Sequence, residues 1–344
     1  MPRCLILAPV AATLMATTAM SDVPSVAADI APIHSLVARV MDGLGTPNLV
    51  IQAGASPHEY TLRPSEAGAL QDADLVFWIG EDLTPWMENA VETLAEDADV
   101  TTLLDVDGIT LLDFRESALF EAHDHGDHDE HAEDVGHDDH DHADHVDEAG
   151  HESHAEDAGH HDDGDDDDHA AHDHGAHDPH AWLSPDNAAV WLNTIAAELS
   201  AADPDNAGTY FANAAAGREE IATLKAEIEA TLAPVRGGRF IVFHDAYHYF
   251  ETAFDVPAAG AISVSDAADP SPARIAEIQA RVAGEGIDCV LTEPQFNAGL
   301  VTTVLDGTDA KTSVMDPLGS DLDLGPTLYP QLLRNLATTL TGCL

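Results

Sequence analysis

Three histidines stand where the hydropathy of the chain changes. His58 lies in Gly54-Ala55-Ser56-Pro57-His58-Glu59-Tyr60, and His180 in Asp178-Pro179-His180-Ala181-Trp182-Leu183-Ser184-Pro185. His244 closes the apolar run Arg239-Phe240-Ile241-Val242-Phe243. Three imidazoles brought together form a borderline-soft donor set that suits zinc, at about 2.0–2.1 Å per nitrogen. Any one of them alone is more often a structural histidine than a ligand. Their setting strengthens the metal reading, because residues 121–178 hold 16 of the 21 histidines and 24 of the 64 acidic residues, with no Lys or Arg. Pairs such as His123-Asp124-His125, His140-Asp141-His142 and His172-Asp173-His174 are spaced to chelate between flexible arms. The bland alternative for this run is an acidic spacer. Its low apolar content and like charge predict that it does not fold by itself.

His248 complicates the set. His244-Asp245-Ala246-Tyr247-His248 has the two-His spacing of zinc-protease helices, but Asp stands where those have a catalytic Glu, and the first His ends a strand. Hydrolysis is therefore disfavoured, and no Ser-His-Asp arrangement offers another route.

The positioning elements follow from periodicity. Residues 23–30 read as a strand, 33–40 as a helix and 48–52 as a second strand. Pro64 opens a helix, and Leu75-Val76-Phe77-Trp78-Ile79 is the continuous apolar run of a buried parallel strand. A helix from Thr84-Pro85-Trp86 and a strand near 100–104 follow. After the His-rich run come a helix over 191–200 and a long one opened by Asp203-Pro204, with Phe211, Ile221, Leu224, Ile228 and Leu232 expected on one stripe. Strands at 239–243, 258–264, 289–292 and 311–315 then alternate with helices to the end. Alternation of this kind predicts α/β architecture with parallel sheets covered on both faces, and ligands at the carboxyl ends of strands.

Composition bounds the partners. The formal charge of −52 excludes nucleic acid, since phosphate binding needs clustered Lys and Arg. Without the 24 acidic residues of the run, 40 still face 12 basic ones, so the folded part is acidic too, as suits a cation binder. Arg3, the apolar stretch 5–16 and the small residues Thr17-Thr18-Ala19-Met20 form the pattern of a cleaved secretory signal over residues 1–20. Cys4 precedes the apolar stretch and so is not a lipid-anchor cysteine. Cys289 and Cys343 remain, and an even count in an exported chain predicts one disulfide between them.

Five segments carry a family resemblance: Gly54-Ala55-Ser56-Pro57-His58-Glu59-Tyr60 with Leu62-Arg63-Pro64-Ser65; His180-Ala181-Trp182-Leu183-Ser184-Pro185; Phe243-His244-Asp245-Ala246-Tyr247; Glu293-Pro294-Gln295-Phe296; and Asp316-Pro317-Leu318-Gly319. In order and spacing they resemble the substrate-binding protein of a high-affinity zinc ABC importer, of the periplasmic metal-binding cluster A-I type. A His-rich insertion before the second ligand is typical of that zinc branch. The resemblance implies two Rossmann-like α/β lobes with parallel sheets, joined by one long rigid helix, with the metal in the interlobe cleft. Its boundaries would be a lobe over 21–200 that includes the run at 121–178, a connecting helix over 203–234, and a second lobe over 236–344. It implies His58, His180 and His244 as ligands, and His244 favours zinc, because the manganese-binding relatives tend to carry a carboxylate there. Asp316 or water ranks ahead of Glu59 for the fourth place. Asp316 could equally orient a ligand by hydrogen bonding, and Glu293 reads better as a supporting carboxylate than as a ligand. The expected partners are Zn2+ and the permease and ATPase subunits of the importer. The expected state is a monomer in the periplasm, and no enzymatic activity is expected. The alternative function is a periplasmic zinc buffer or metallochaperone without a dedicated permease.

Overall fold

The computed structural model describes residues 23–115, 120, 177–263, 270–296, 298–305 and 307–344. The secretory signal and the unfolded character expected of the His-rich run lie outside the described residues. The first half runs β1 (Val26–Ala28), α1 (Ala31–Val40), β2 (Asn48–Leu49), α2 (Pro64–Gln71), β3 (Leu75–Trp78), α3 (Glu88–Leu94) and β4 (Asp99–Thr102). Then come α4 (Pro185–Ala202) and α5 (Ala207–Leu232). The second half runs β5 (Phe240–His244), α6 (His248–Phe254), β6 (Gly260–Ser263), α7 (Pro272–Gly284), β7 (Cys289–Thr292), α8 (Ala298–Leu305), β8 (Lys311–Val314) and α9 (Leu328–Cys343).

Both sheets are parallel and four-stranded, in the orders β2-β1-β3-β4 and β6-β5-β7-β8. Parallel strands buried on both faces need apolar residues without alternation. Accordingly, every residue of β3 and β5 is buried. The strand order reverses between β1 and β3 and again between β5 and β7, and each reversal opens a crevice at the carboxyl ends. His244 is the last residue of β5, and Glu293 directly follows β7, so the two meet at the second crevice. The expected strand over 48–52 is shorter as a formal strand. Val50 and Ile51 still donate backbone hydrogen bonds to Ala28 and Asp29, at 2.9 and 2.8 Å, so the pairing continues past Leu49.

α5 is the long connector, 26 residues flanked by 3-10 turns at Pro204–Asn206 and Ala233–Val235. Its buried stripe is Tyr210, Ala214, Gly217, Ile221, Leu224, Ile228 and Leu232. Phe211 is not on it and is 51% exposed, which corrects the expected stripe. One residue turns a helix by about 100°, so Tyr210 rather than Phe211 keeps the spacing of four and three that leads to Ile221. A side chain at Gly217 would bring its Cβ within 2.9 Å of Leu192 and 3.2 Å of Arg39, so the glycine lets α5 approach α4 and α1 closely.

α1 is buried at nine of its ten residues, His34 and Ser35 among them, and Arg39 is the residue left out. One apolar core passes from the first sheet through α1, α4, α5 and α9 to Tyr247, Tyr249 and Phe250 beside the second sheet. Polar ties accompany it. Ser35 donates to the Gly325 carbonyl at 2.7 Å, Trp182 Nε1 to the Pro317 carbonyl at 2.8 Å, and Tyr329 Oη to the Trp182 carbonyl at 2.9 Å. Among the described residues no helix is long and apolar enough to cross a membrane.

Cys289 and Cys343 form a disulfide that ties the start of β7 to the last turn of α9. It closes a sequence separation of 54 residues. Cross-links of this kind stabilise by about 2–5 kcal/mol, chiefly by restricting the unfolded chain. Denaturant unfolding of the Cys289→Ala/Cys343→Ala protein should show a loss within that range. Thiol titration of the unfolded, unreduced wild-type protein should find neither cysteine reactive, and two reactive thiols would count against the bridge.

Candidate metal centre

His58 sits in the irregular loop between β2 and α2. Ala55, Tyr60 and Leu62 pack against the core, and side-chain hydrogen bonds fix the rest of the loop. Trp86 Nε1 donates to the Pro57 carbonyl at 2.8 Å, and the Ser56 hydroxyl accepts from His58 N at 3.2 Å. On the far side, Tyr60 Oη donates to Glu66 at 2.8 Å, and the same carboxylate accepts from Arg63 N at 2.7 Å, capping α2.

His180 follows the point where the chain returns from the His-rich run. His177 pairs with Asp113 in an isolated antiparallel bridge, and Asp178 N donates to the Leu112 carbonyl at 2.8 Å. Asp178 then turns its carboxylate onto His180, accepting from the backbone N at 3.0 Å and from Nδ1 at 2.7 Å. A 3-10 turn over Ala181–Leu183 leads to Ser184, whose hydroxyl caps α4 by accepting from Asn187 N.

His244 is fixed in the same manner from the second sheet. Its Nδ1 donates to Glu293 Oε1 at 2.6 Å, and the second oxygen of Glu293 accepts from Gln295 Nε2 at 2.9 Å. Asp178, His180, His244 and Glu293 are all less than 5% exposed, whereas His58 is half-buried.

A carboxylate only accepts hydrogen bonds, so the proton of each buried imidazole belongs on Nδ1. Both Nε2 atoms then carry lone pairs, and they face each other at 3.4 Å. Two lone pairs held that close repel unless a proton or a cation lies between them. A tetrahedral zinc with nitrogens at about 2.0–2.1 Å sets them about 3.3–3.4 Å apart, so the spacing already fits. His58 completes the cluster, with ring centroids 5.4 Å from His180 and 6.3 Å from His244. One ring nitrogen from each of the three lies within 4.8 Å of the others. Among the described residues no other group of three or more His, Cys, Asp or Glu comes so close together.

The remaining candidates lie otherwise. Asp316 stands just beyond β8, and its oxygens accept from Leu318 N at 2.9 Å and from Ser320 N and Oγ at 2.6 Å each. It is not in the histidine group, and Glu59 is exposed. His248 opens α6 while His244 ends β5, so the two rings do not share a helix face. His248 Nδ1 comes only to 3.8 Å from Asp178 Oδ2.

Asp178 is the supporting residue that sequence reasoning missed. It reads as the last acid of an acidic run, and only its place two residues before His180 could have flagged it. Burial, the largest influence, pushes its carboxyl up to about 7. A cation held on the far nitrogen of His180 favours the ionised form of that carboxyl.

Comparison with known proteins bears on this geometry. The family described as zinc-uptake complex component A, periplasmic, matches residues 26–343. The chain belongs to this ZnuA family. It is 44% identical over 320 residues to the high-affinity zinc uptake system protein ZnuA of Brucella abortus (strain 2308), across 93% of this chain and 91% of that relative. It is 40% identical to the protein of the same name from Paracoccus denitrificans, across 100% of this chain and 98% of the relative. In fold it is similar to a crystal structure of ZnuA, with a TM-score of 0.68 at 20% identity over 94% of this chain and 99% of the other. A zinc-bound ZnuA deletion mutant matches with a TM-score of 0.67, also at 20% identity, over 94% of this chain and 98% of the other. At those identities the likeness is one of fold.

Proposed function

We propose that this protein captures Zn2+ in the periplasm and delivers it to the permease and ATPase subunits of an ABC importer. It is a solute-binding protein and not an enzyme. The observation that carries this reading is the facing pair of Nε2 atoms on His180 and His244, each ring locked by a buried carboxylate, with His58 alongside. His58, His180 and His244 are the ligands in this proposal. Water is favoured for the fourth place, because both oxygens of Asp316 already serve the turn at Leu318 and Ser320 and Glu59 points to solvent. Asp178 and Glu293 supply the negative charge that a three-imidazole site lacks. His58, half-buried, is the most accessible of the three histidines. The protein acts as a monomer, exported by a signal over residues 1–20.

Uptake of radioactive zinc by cells limited for zinc tests the delivery step. It should fall on deletion of this gene, return with the wild-type protein and fail to return with His244→Ala. Restoration in cells that lack the permease would instead support a buffer.

In this reading the His-rich run collects zinc at several weaker sites. Deleting residues 122–174 removes neither residue of the Asp113–His177 pairing. Calorimetry should then show the tight equivalent intact and the weaker equivalents gone. A single equivalent in both proteins would reduce the run to a spacer.

A further inference from the structure

Arg115 is one of only 12 basic residues and lies just ahead of the His-rich run. Its side chain is 16% exposed and uses two edges of its guanidinium fork. Nε and Nη2 donate to the two oxygens of Asp245, the first at 3.0 Å. Nη1 and Nη2 donate to the two oxygens of Glu251, at 2.8 and 3.0 Å. The ring of Phe120 lies 3.6 Å from the guanidinium carbon and covers it.

The place of these acceptors matters. Asp245 immediately follows His244, in a tight turn closed by Ala246 N donating to the His244 carbonyl at 2.9 Å. Glu251 lies on α6 and also accepts from Ala258 N at 3.0 Å. Arg115 therefore cross-links the turn after β5 to the helix that follows it, and ties both to the chain that leaves the first sheet. Tyr249, also on α6, extends the tie to the other end of the run. It accepts from Leu112 N at 2.9 Å and donates to the Asp178 carbonyl at 2.9 Å. Asp178, in turn, holds His180.

We propose that Arg115 is a positioning residue for the zinc site. By clamping Asp245 to Glu251 it sets the turn that aims His244. Together with Asp178, it builds both ends of the His-rich run into the supports of two zinc ligands. The inference rests on the three-histidine site proposed above. The physical reason lies in charge and geometry. One guanidinium stands among buried carboxylates, and removing it leaves Asp245 and Glu251 as neighbouring uncompensated charges that push the turn apart. Lysine would restore the charge but not the double fork, so the cross-link would be lost. The Nε2 atoms of His180 and His244 already stand at the edge length of a zinc tetrahedron, so a small movement of the turn costs a bond.

The test uses the full chain with Arg115→Ala, Arg115→Lys and Asp245→Asn. Arg39→Ala, which breaks a pair between α1 and α5, is the control. Zinc affinity is read by competition with a chromophoric chelator. The geometry at the metal is read from the visible bands of protein loaded with one equivalent of Co2+, and apo stability from thermal melting. Each of the three test variants that folds should bind zinc about ten- to hundredfold more weakly and show altered Co2+ bands, as losses of outer supports do. The control should keep both. A folded Arg115→Lys or Asp245→Asn protein with wild-type affinity and wild-type Co2+ bands overturns the proposal, even if its melting temperature has dropped. Retention of tight zinc binding by His244→Ala would instead refute the site itself and leave the role of Arg115 as a clamp of the turn alone.

Discussion

Replacing His58, His180 or His244 by alanine should each remove tight one-to-one zinc binding. The three differ in setting. His180 and His244 are buried and locked on Nδ1, while His58 is half-buried on a loop. The loss is nevertheless a ligand bond in every case. Removing an outer partner of a ligand weakens a metal site about ten- to hundredfold, and removing the ligand itself should exceed that. A hundredfold loss corresponds to about 2.7 kcal/mol, which sets the floor for each variant. Alanine at 180 or 244 also removes the imidazole partner of a buried carboxylate, Asp178 or Glu293, leaving it fewer donors, so these two variants should lose apo stability as well. His58→Ala should spare it. Competition titrations in the chain lacking residues 122–174 isolate the effect from the weaker sites. Wild-type affinity in any two of the three variants would disprove the assignment.

Acid should release zinc steeply. Imidazole binds metal only when neutral, and its ordinary pKa is about 6.5. Protons and zinc compete for the same lone pairs, so affinity is full above that value and is lost as pH falls. Three such ligands together allow a fall of up to about four orders of magnitude between pH 7 and pH 5. Asp178 acts in the same direction. Burial raises its carboxyl, and a cation on the far nitrogen of His180 favours its ionised form, so acid that neutralises it also disfavours the bound metal. A site of carboxylates with ordinary pKa values near 4 would keep its metal to lower pH. Affinity unchanged from pH 7 to pH 5, measured with a pH-corrected chelator, would exclude the imidazole set.

Much of this molecule is legible from residue order alone, because its determinants are local. Leu75-Val76-Phe77-Trp78 and Phe240-Ile241-Val242-Phe243 are short, β-branched or aromatic-rich and apolar without alternation, as a strand buried on both faces requires. Their place between helical segments determines parallel sheets, and the carboxyl-end rule brings His244 to a crevice. The abrupt change of composition at His180 and the loop glycine and proline around His58 mark the other two histidines. Where local patterning failed, it failed by small amounts that packing decides. Tyr210 took the buried place expected of Phe211 because one residue on a helix is a large rotation.

Only the tertiary structure decided what surrounds the three clustered histidines. That Glu293 grips His244 depends on β5 and β7 lying side by side, 49 residues apart in the chain. That Arg115 clamps Asp245 and Glu251 depends on contacts spanning 130 and 136 residues. Asp178 looks like any other acid of the run until the pairing at Leu112 and Tyr249 buries it against His180. Hydropathy and spacing report which residues are apolar and how they repeat. They carry no information on which charged side chain loses its water, and that loss of solvent is what gives one carboxylate among 64 acidic residues a place against the ring of His180.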